Sequence, residues 1–110
     1  MSKKITFSWD DREYTLEYTR ATASEIEKSG LNINEIDSKP NTMIPLLFRG
    51  AFLKHHRFVK PEKIDEIFDA MGDKQGLIGK LADMYADTIV SLTAEPEEAQ
   101  GKNVNWGANW

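Results

Sequence analysis

Cysteine is absent from the 110 residues, which excludes a disulfide framework and a thiolate zinc site alike. Histidine is nearly absent: only His55 and His56 occur. Neighbours on a helix point about 100° apart and cannot chelate one ion together, and no HExxH motif surrounds them. No metal site is expected, and no cofactor. General-base chemistry would need an orienting carboxylate and a nucleophile, and nothing in the spacing supplies them. Gly72, Gly76 and Gly79 lie close together but lack the spacing of a phosphate-binding loop. The expected function is therefore not enzymatic. No apolar run approaches the roughly 20 residues that cross a membrane, and the opening Met1–Phe7 lacks the core of a signal peptide. A cytoplasmic setting without membrane attachment is expected.

Positive charge is scarce in the second half. Residues 1–61 carry ten basic and eight acidic side chains, whereas residues 62–98 carry three basic and ten acidic ones. That half would repel a phosphate backbone, so nucleic acid is not an expected partner. Glu62, Asp65, Glu66 and Asp69 recur at helical spacing opposite Ile64, Ile67 and Phe68, which marks a solvated helix face rather than an acid pair. The remaining composition, 40% hydrophobic and 29% charged, suits one globular domain.

Its class is α+β: an N-terminal β-hairpin, a small bundle of about four helices, and a disordered C-terminal tail. Residues 3–19 alternate as a hairpin, with Ile5, Phe7 and Trp9 on one strand and Tyr14, Leu16 and Tyr18 on the other. A two-residue Asp10–Asp11 turn would set Phe7 opposite Tyr14, Ile5 opposite Leu16 and Lys3 opposite Tyr18; a longer loop from Trp9 is the alternative. Thr22 and Glu25 form a capping box for a helix over 22–29, which Gly30 ends. Helices follow over 43–56, 62–71 and 74–93, the third opening at Pro61. The domain thus spans 1–94, and 95–110 reads as a flexible tail.

The segment Asn41–His56, NTMIPLLFRGAFLKHH, is the most apolar stretch and is apolar around most of its circumference. A helix of this kind needs contacts on several sides. Its start lies at Thr42 or nearer Pro45. Gly50, which costs about 1 kcal/mol against alanine within a helix, is either a neutral replacement or a point of close approach by another backbone or the aromatic hairpin face. His55, His56 and Arg57 fall at the expected helix end, where the dipole favours positive charge; they could also frame a docking surface. In the tail, Trp106 and Trp110 are either a short recognition segment or a stretch that folds back on the hairpin.

The run MIPLLFRGAFLKHHRFVKPEKIDEIFD and the following GLIGKLADMYADTI resemble the small tail-assembly chaperone proteins of long-tailed phages and prophages of Gram-positive bacteria. The opening TFSWDDREYTLEYTRATASEIEKSGLN and the closing NVNW extend the resemblance over essentially the whole chain. It implies a homo-oligomer in the cytoplasm of the host bacterium, absent from the mature virion. Its partner would be the tape measure protein, kept soluble while the tail tube assembles. In many phages a programmed frameshift yields a longer product that recruits tail tube protein. On this reading the client or self-association surface is expected at Leu46, Phe48, Phe52, Leu53, Phe58, Tyr85 and Ile89, although any of these would also serve as core. The competing expectation is a structural virion component, such as a small head–tail connector or tail terminator.

Overall fold

The computed structural model describes residues 3–94 and 106–110. Strands β1 (Ile5–Trp9) and β2 (Arg12–Leu16) pair antiparallel, with Phe7 opposite Tyr14 and Ile5 opposite Leu16. Asp10 and Asp11 both take positive φ, 52° and 61°, as the tight two-residue turn of a right-twisted hairpin demands. Aspartate tolerates this region better than most residues. Phe7 stacks on Tyr14 with ring centroids 5.3 Å apart, and Tyr14, Leu16 and Tyr18 are buried. The alternation of the sequence therefore delivers the apolar face to the core.

Helix α1 runs over Arg20–Lys28, earlier than the capping box at Thr22 and Glu25 placed it. Thr19 is the N-cap: its hydroxyl accepts from the Thr22 N–H, and the Thr22 hydroxyl accepts from the Thr19 N–H. Threonine thus replaces glutamate as the reciprocal partner, which leaves Glu25 for other work. At the far end Gly30 has φ of 114°. Its N–H donates to the Glu27 carbonyl and that of Leu31 to Ile26, the paired bonds that close a helix on a left-handed residue. A short 3₁₀ turn, Ile33–Glu35, leads to the central helix.

That helix, α2, spans Pro40–Gly50, not 43–56. Pro40 occupies the first turn, where its missing N–H costs nothing. Pro45 lies inside the helix and removes the bond to the Asn41 carbonyl, which is on an exposed residue that water reaches. After Gly50 the chain tightens, with Ala51, Phe52 and Leu53 donating to Phe48, Arg49 and Gly50. The cause of this early end is tertiary. The Ala51 carbonyl accepts the Glu17 N–H at 3.1 Å, which draws the turn segment 51–57 along the outer edge of β2. Helices α3 (Pro61–Ala70) and α4 (Lys74–Val90) complete the bundle. Asp73 caps α4 from a left-handed conformation, its carboxylate accepting the Gly76 N–H.

The core gathers the hairpin face and the inner sides of α1, α2, α3 and α4. Leu16, Leu47, Phe48, Phe52, Ile67 and Leu81 are its largest fully buried side chains. Phe48 meets Phe52 and Phe68 edge to face at 5.2 and 5.0 Å. Tyr18 reaches across to donate to the Leu47 carbonyl at 2.5 Å; burial pushes its hydroxyl pKa far up. The tail expected over 95–110 falls outside the described residues at 95–105.

Gly50 resolves into a close approach, made by a side chain rather than a backbone or the hairpin. A Cβ placed there would lie 2.5 Å from Ile26 Cγ1. Isoleucine has one strongly preferred helical rotamer, so it does not swing away cheaply. Gly50→Ala should therefore destabilise the protein by about 1–3 kcal/mol despite its better helix propensity, as read from urea unfolding. Ile26→Ala in the same chain should turn the effect of G50A neutral or favourable.

Candidate functional site

The close approach of α1 to α2 at Gly50 creates an open cleft of about 390 Å³. Ile26 and Gly50 belong to its floor, while Leu46 and Leu53, both half-buried, flank it. Spacing explains the arrangement. Leu46, Gly50 and Leu53 follow one another at four and three residues, so they share one face of α2 and the turn beyond it. The opposite faces carry Leu47, Phe48 and Phe52 into the core. Glu25, Lys28 and Arg49 supply charge around the cleft.

Two bidentate ion pairs hold this rim. Arg49 of α2 binds Asp65 of α3, with Nε to Oδ1 at 3.0 Å and Nη2 to Oδ2 at 2.5 Å. The bond raises the Arg49 pKa. Both side chains are well exposed, at 39% and 48%, so the pair contributes no more than about 1 kcal/mol; its use is geometric. Arg57 clasps Glu25 through two bonds of 2.9 Å, which holds that carboxyl below its usual range.

A second cleft, of about 360 Å³, opens on the other side of Arg57. Arg12, Phe58, Lys60 and Lys63 line it, with both histidines behind. The Glu25–Arg57 pair therefore joins the rims of the two clefts.

The expected surface residues divide between core and exterior. Leu46 and Leu53 meet in the first cleft. Phe48 and Phe52, each 1% exposed, are core residues of the monomer, as is Tyr85. Helical period alone does not say which side is covered: Phe52 meets Tyr14 of the hairpin and Phe48 meets Phe68 of α3. Tyr85 packs edge to face on Tyr18 and donates to Glu27 at 2.6 Å. Phe58 is 96% exposed and stands at the second cleft, apart from Leu46. Ile89 is exposed near the end of α4, where Val90 and Leu92 are exposed beside it. The helix expected to run to 93 stops at Val90, so Leu92 lies beyond it. Trp106 and Trp110 are both exposed, and neither ring stacks on another among the described residues.

Residues that sequence reasoning passed over organise the region behind the clefts. Glu17 is 3% exposed, with His55 Nε2 at 2.8 Å and the Lys54 and Lys4 amines at 3.8 and 3.9 Å. Its signal was faint: an acidic residue between Leu16 and Tyr18 reads as the outward half of a strand. The histidines do not serve as helix-end charge, because α2 ends five residues before them. His56 Nε2 accepts the Thr15 N–H at 2.9 Å, which requires a neutral ring with its proton on Nδ1. Burial, then the neighbouring His55, lowers its pKa. Among the described residues no group of three or more His, Asp or Glu side chains is placed to hold a metal ion, and no helix is long and apolar enough to cross a membrane.

Residues 1–110 match a family described as a domain of unknown function, DUF5055. The chain belongs to that family. No curated protein and no solved structure matches it.

The lowered His56 pKa links folding to pH. Between the folded value and the ordinary value near 6.5 the unfolded chain binds the extra proton, so this contribution is complete above about pH 6.5 and is lost as pH falls through the folded value. His56→Gln keeps an acceptor for Thr15 without the titration. Urea unfolding of the H56Q variant between about pH 7.5 and 5.5 should show a shallower loss of stability than the unaltered chain.

Proposed function

We propose that this member of the DUF5055 family is a phage tail-assembly chaperone that binds the tape measure protein and keeps it soluble while the tail tube assembles. The observation that carries the reading is the open cleft between α1 and α2. Leu46 and Leu53 present apolar surface there that the chain's own core leaves uncovered, and charged side chains ring it. An extended helical client could lay an apolar stripe into such a groove, while the rim charges keep the loaded complex dispersed. The likeness of the whole chain to tail-assembly chaperones of Gram-positive phages and prophages supplies the identity of the client.

The role is binding without chemistry. It places the protein in the cytoplasm of the host bacterium and outside the mature virion, as a homo-oligomer. A longer frameshifted product would bring tail tube protein to the complex. Phe48, Phe52 and Tyr85 belong to the core; the client side is Leu46 and Leu53, with Ile89 and the Trp106 and Trp110 segment as further candidates for contact with client or copy.

Co-expression tests the reading. Tape measure protein that is insoluble alone should become soluble and co-purify with this chain. Leu46→Glu with Leu53→Glu should abolish both effects while the far-ultraviolet circular dichroism is kept, since both side chains are only half-buried. Unchanged client solubility with no complex would sink the reading. Recovery of this chain from washed virions would favour a structural component such as a head–tail connector or tail terminator.

A further inference from the structure

The cleft at the hairpin tip has a chemistry that the client surface does not share. No carboxylate is among its lining residues, although the chain as a whole carries a formal charge of −4. Of its cations, Arg57 is committed to Glu25, and Lys63 lies over the Trp9 ring at 4.9 Å. Arg12 and Lys60 are exposed, and among the described residues neither has an acidic partner. Phe58, 96% exposed, lines the same cleft. The ring is carried on a short turn closed by the Val59 N–H to the His56 carbonyl at 3.2 Å, ahead of Pro61. A large aromatic held out in water beside unpaired cations is the composition of an anchor point at a protein interface.

We propose that this cleft receives an acidic segment of a partner protein, its carboxylates meeting Arg12 and Lys60 and one of its apolar side chains packing on Phe58. Charge complementarity selects the partner's chemistry. Phosphate backbones are disfavoured by the surroundings: Asp10, Asp11 and Glu13 stand beside Arg12 on the hairpin, and Glu62 and Glu66 flank Lys63 on α3, all five exposed. A continuous polyanion crossing the cleft would run into these carboxylates on either side. A short acidic segment brings only a few charges, which Arg12 and Lys60 can offset. The site is separate from the Leu46–Leu53 cleft, so the two can be occupied together, and the proposal stands whether or not the chaperone reading does.

Fluorescence anisotropy with the full chain provides the test. The probe is a short fluorescein-labelled peptide of glutamate, aspartate and tryptophan; the controls are its glutamine and asparagine counterpart and an oligothymidylate of equal charge. The acidic peptide should bind, more weakly as salt is raised. Arg12→Glu with Lys60→Glu should weaken it by roughly tenfold or more, the two truncated charges acting at a rim. Phe58→Ala should weaken it several-fold, whereas L46E with L53E should leave it unchanged. All three altered cleft residues are exposed, and the milder Arg12→Gln with Lys60→Gln provides a second variant should charge reversal disturb the hairpin. Equal binding of the uncharged peptide, tighter binding of oligothymidylate, or an acidic-peptide affinity indifferent to both cation variants would overturn the proposal.

Discussion

A carboxylate taken out of water sets the terms for this fold. Glu17 is buried at the end of the hairpin, and a buried charge is tolerated only where opposite charge and hydrogen bonds replace its hydration. Lys4 approaches from the start of the hairpin, Lys54 and His55 from the turn after α2. The backbone of the same residue binds Ala51. With Glu17 held through both its side chain and its backbone, the chain leaves its helix at Gly50 and runs along the outer edge of β2. That detour covers a strand edge that would otherwise stay unpaired. It also delivers His56 to Thr15, brings Arg57 to Glu25, and leaves Phe58 pointing into solvent.

Local pattern was enough for some elements. Period-two alternation specified the hairpin and its register, because a shift of one residue would have turned Phe7, Tyr14 and Leu16 outward. Proline and glycine punctuation placed α3 and α4 to within a few residues, and Gly30 closed α1 as its position suggested. Elements governed by distant partners were not legible. The Thr19–Thr22 cap was masked by the more familiar spacing of Thr22 and Glu25. The end of α2 depends on a carbonyl captured by a residue far earlier in the chain, and no local propensity records that.

The site shows the same division. Helical period groups Leu46, Phe48, Phe52 and Leu53 as apolar, but it does not say which side faces the hairpin. Once Tyr14 of the hairpin packs on Phe52 and Phe68 of α3 on Phe48, an apolar excess that looked continuous becomes a core plus a narrower exposed strip. Gly50 is where the two meet: its lack of a side chain admits Ile26 from α1, and that contact shapes the floor beneath Leu46 and Leu53. Arg12, Lys60 and Phe58 come together only through tertiary structure, since the hairpin tip and the turn segment are far apart in sequence. The role of Glu17 was hidden for a different reason, that burial of a charge cannot be read from a strand's alternation.

The clasp between hairpin and turn also has a temporal side. Thr15 and His56 are 41 residues apart, and Glu17 and His55 are 38 apart. The hairpin and the individual helices are local and form on microsecond scales, whereas a closure of this span becomes favourable only after α1 and α2 have brought its ends together. The segment that carries Phe58 and separates the two clefts is thus among the last parts of the molecule to settle. A nascent chain would display the bare edge of β2, with Thr15 and Glu17 still unclasped, for as long as that closure takes.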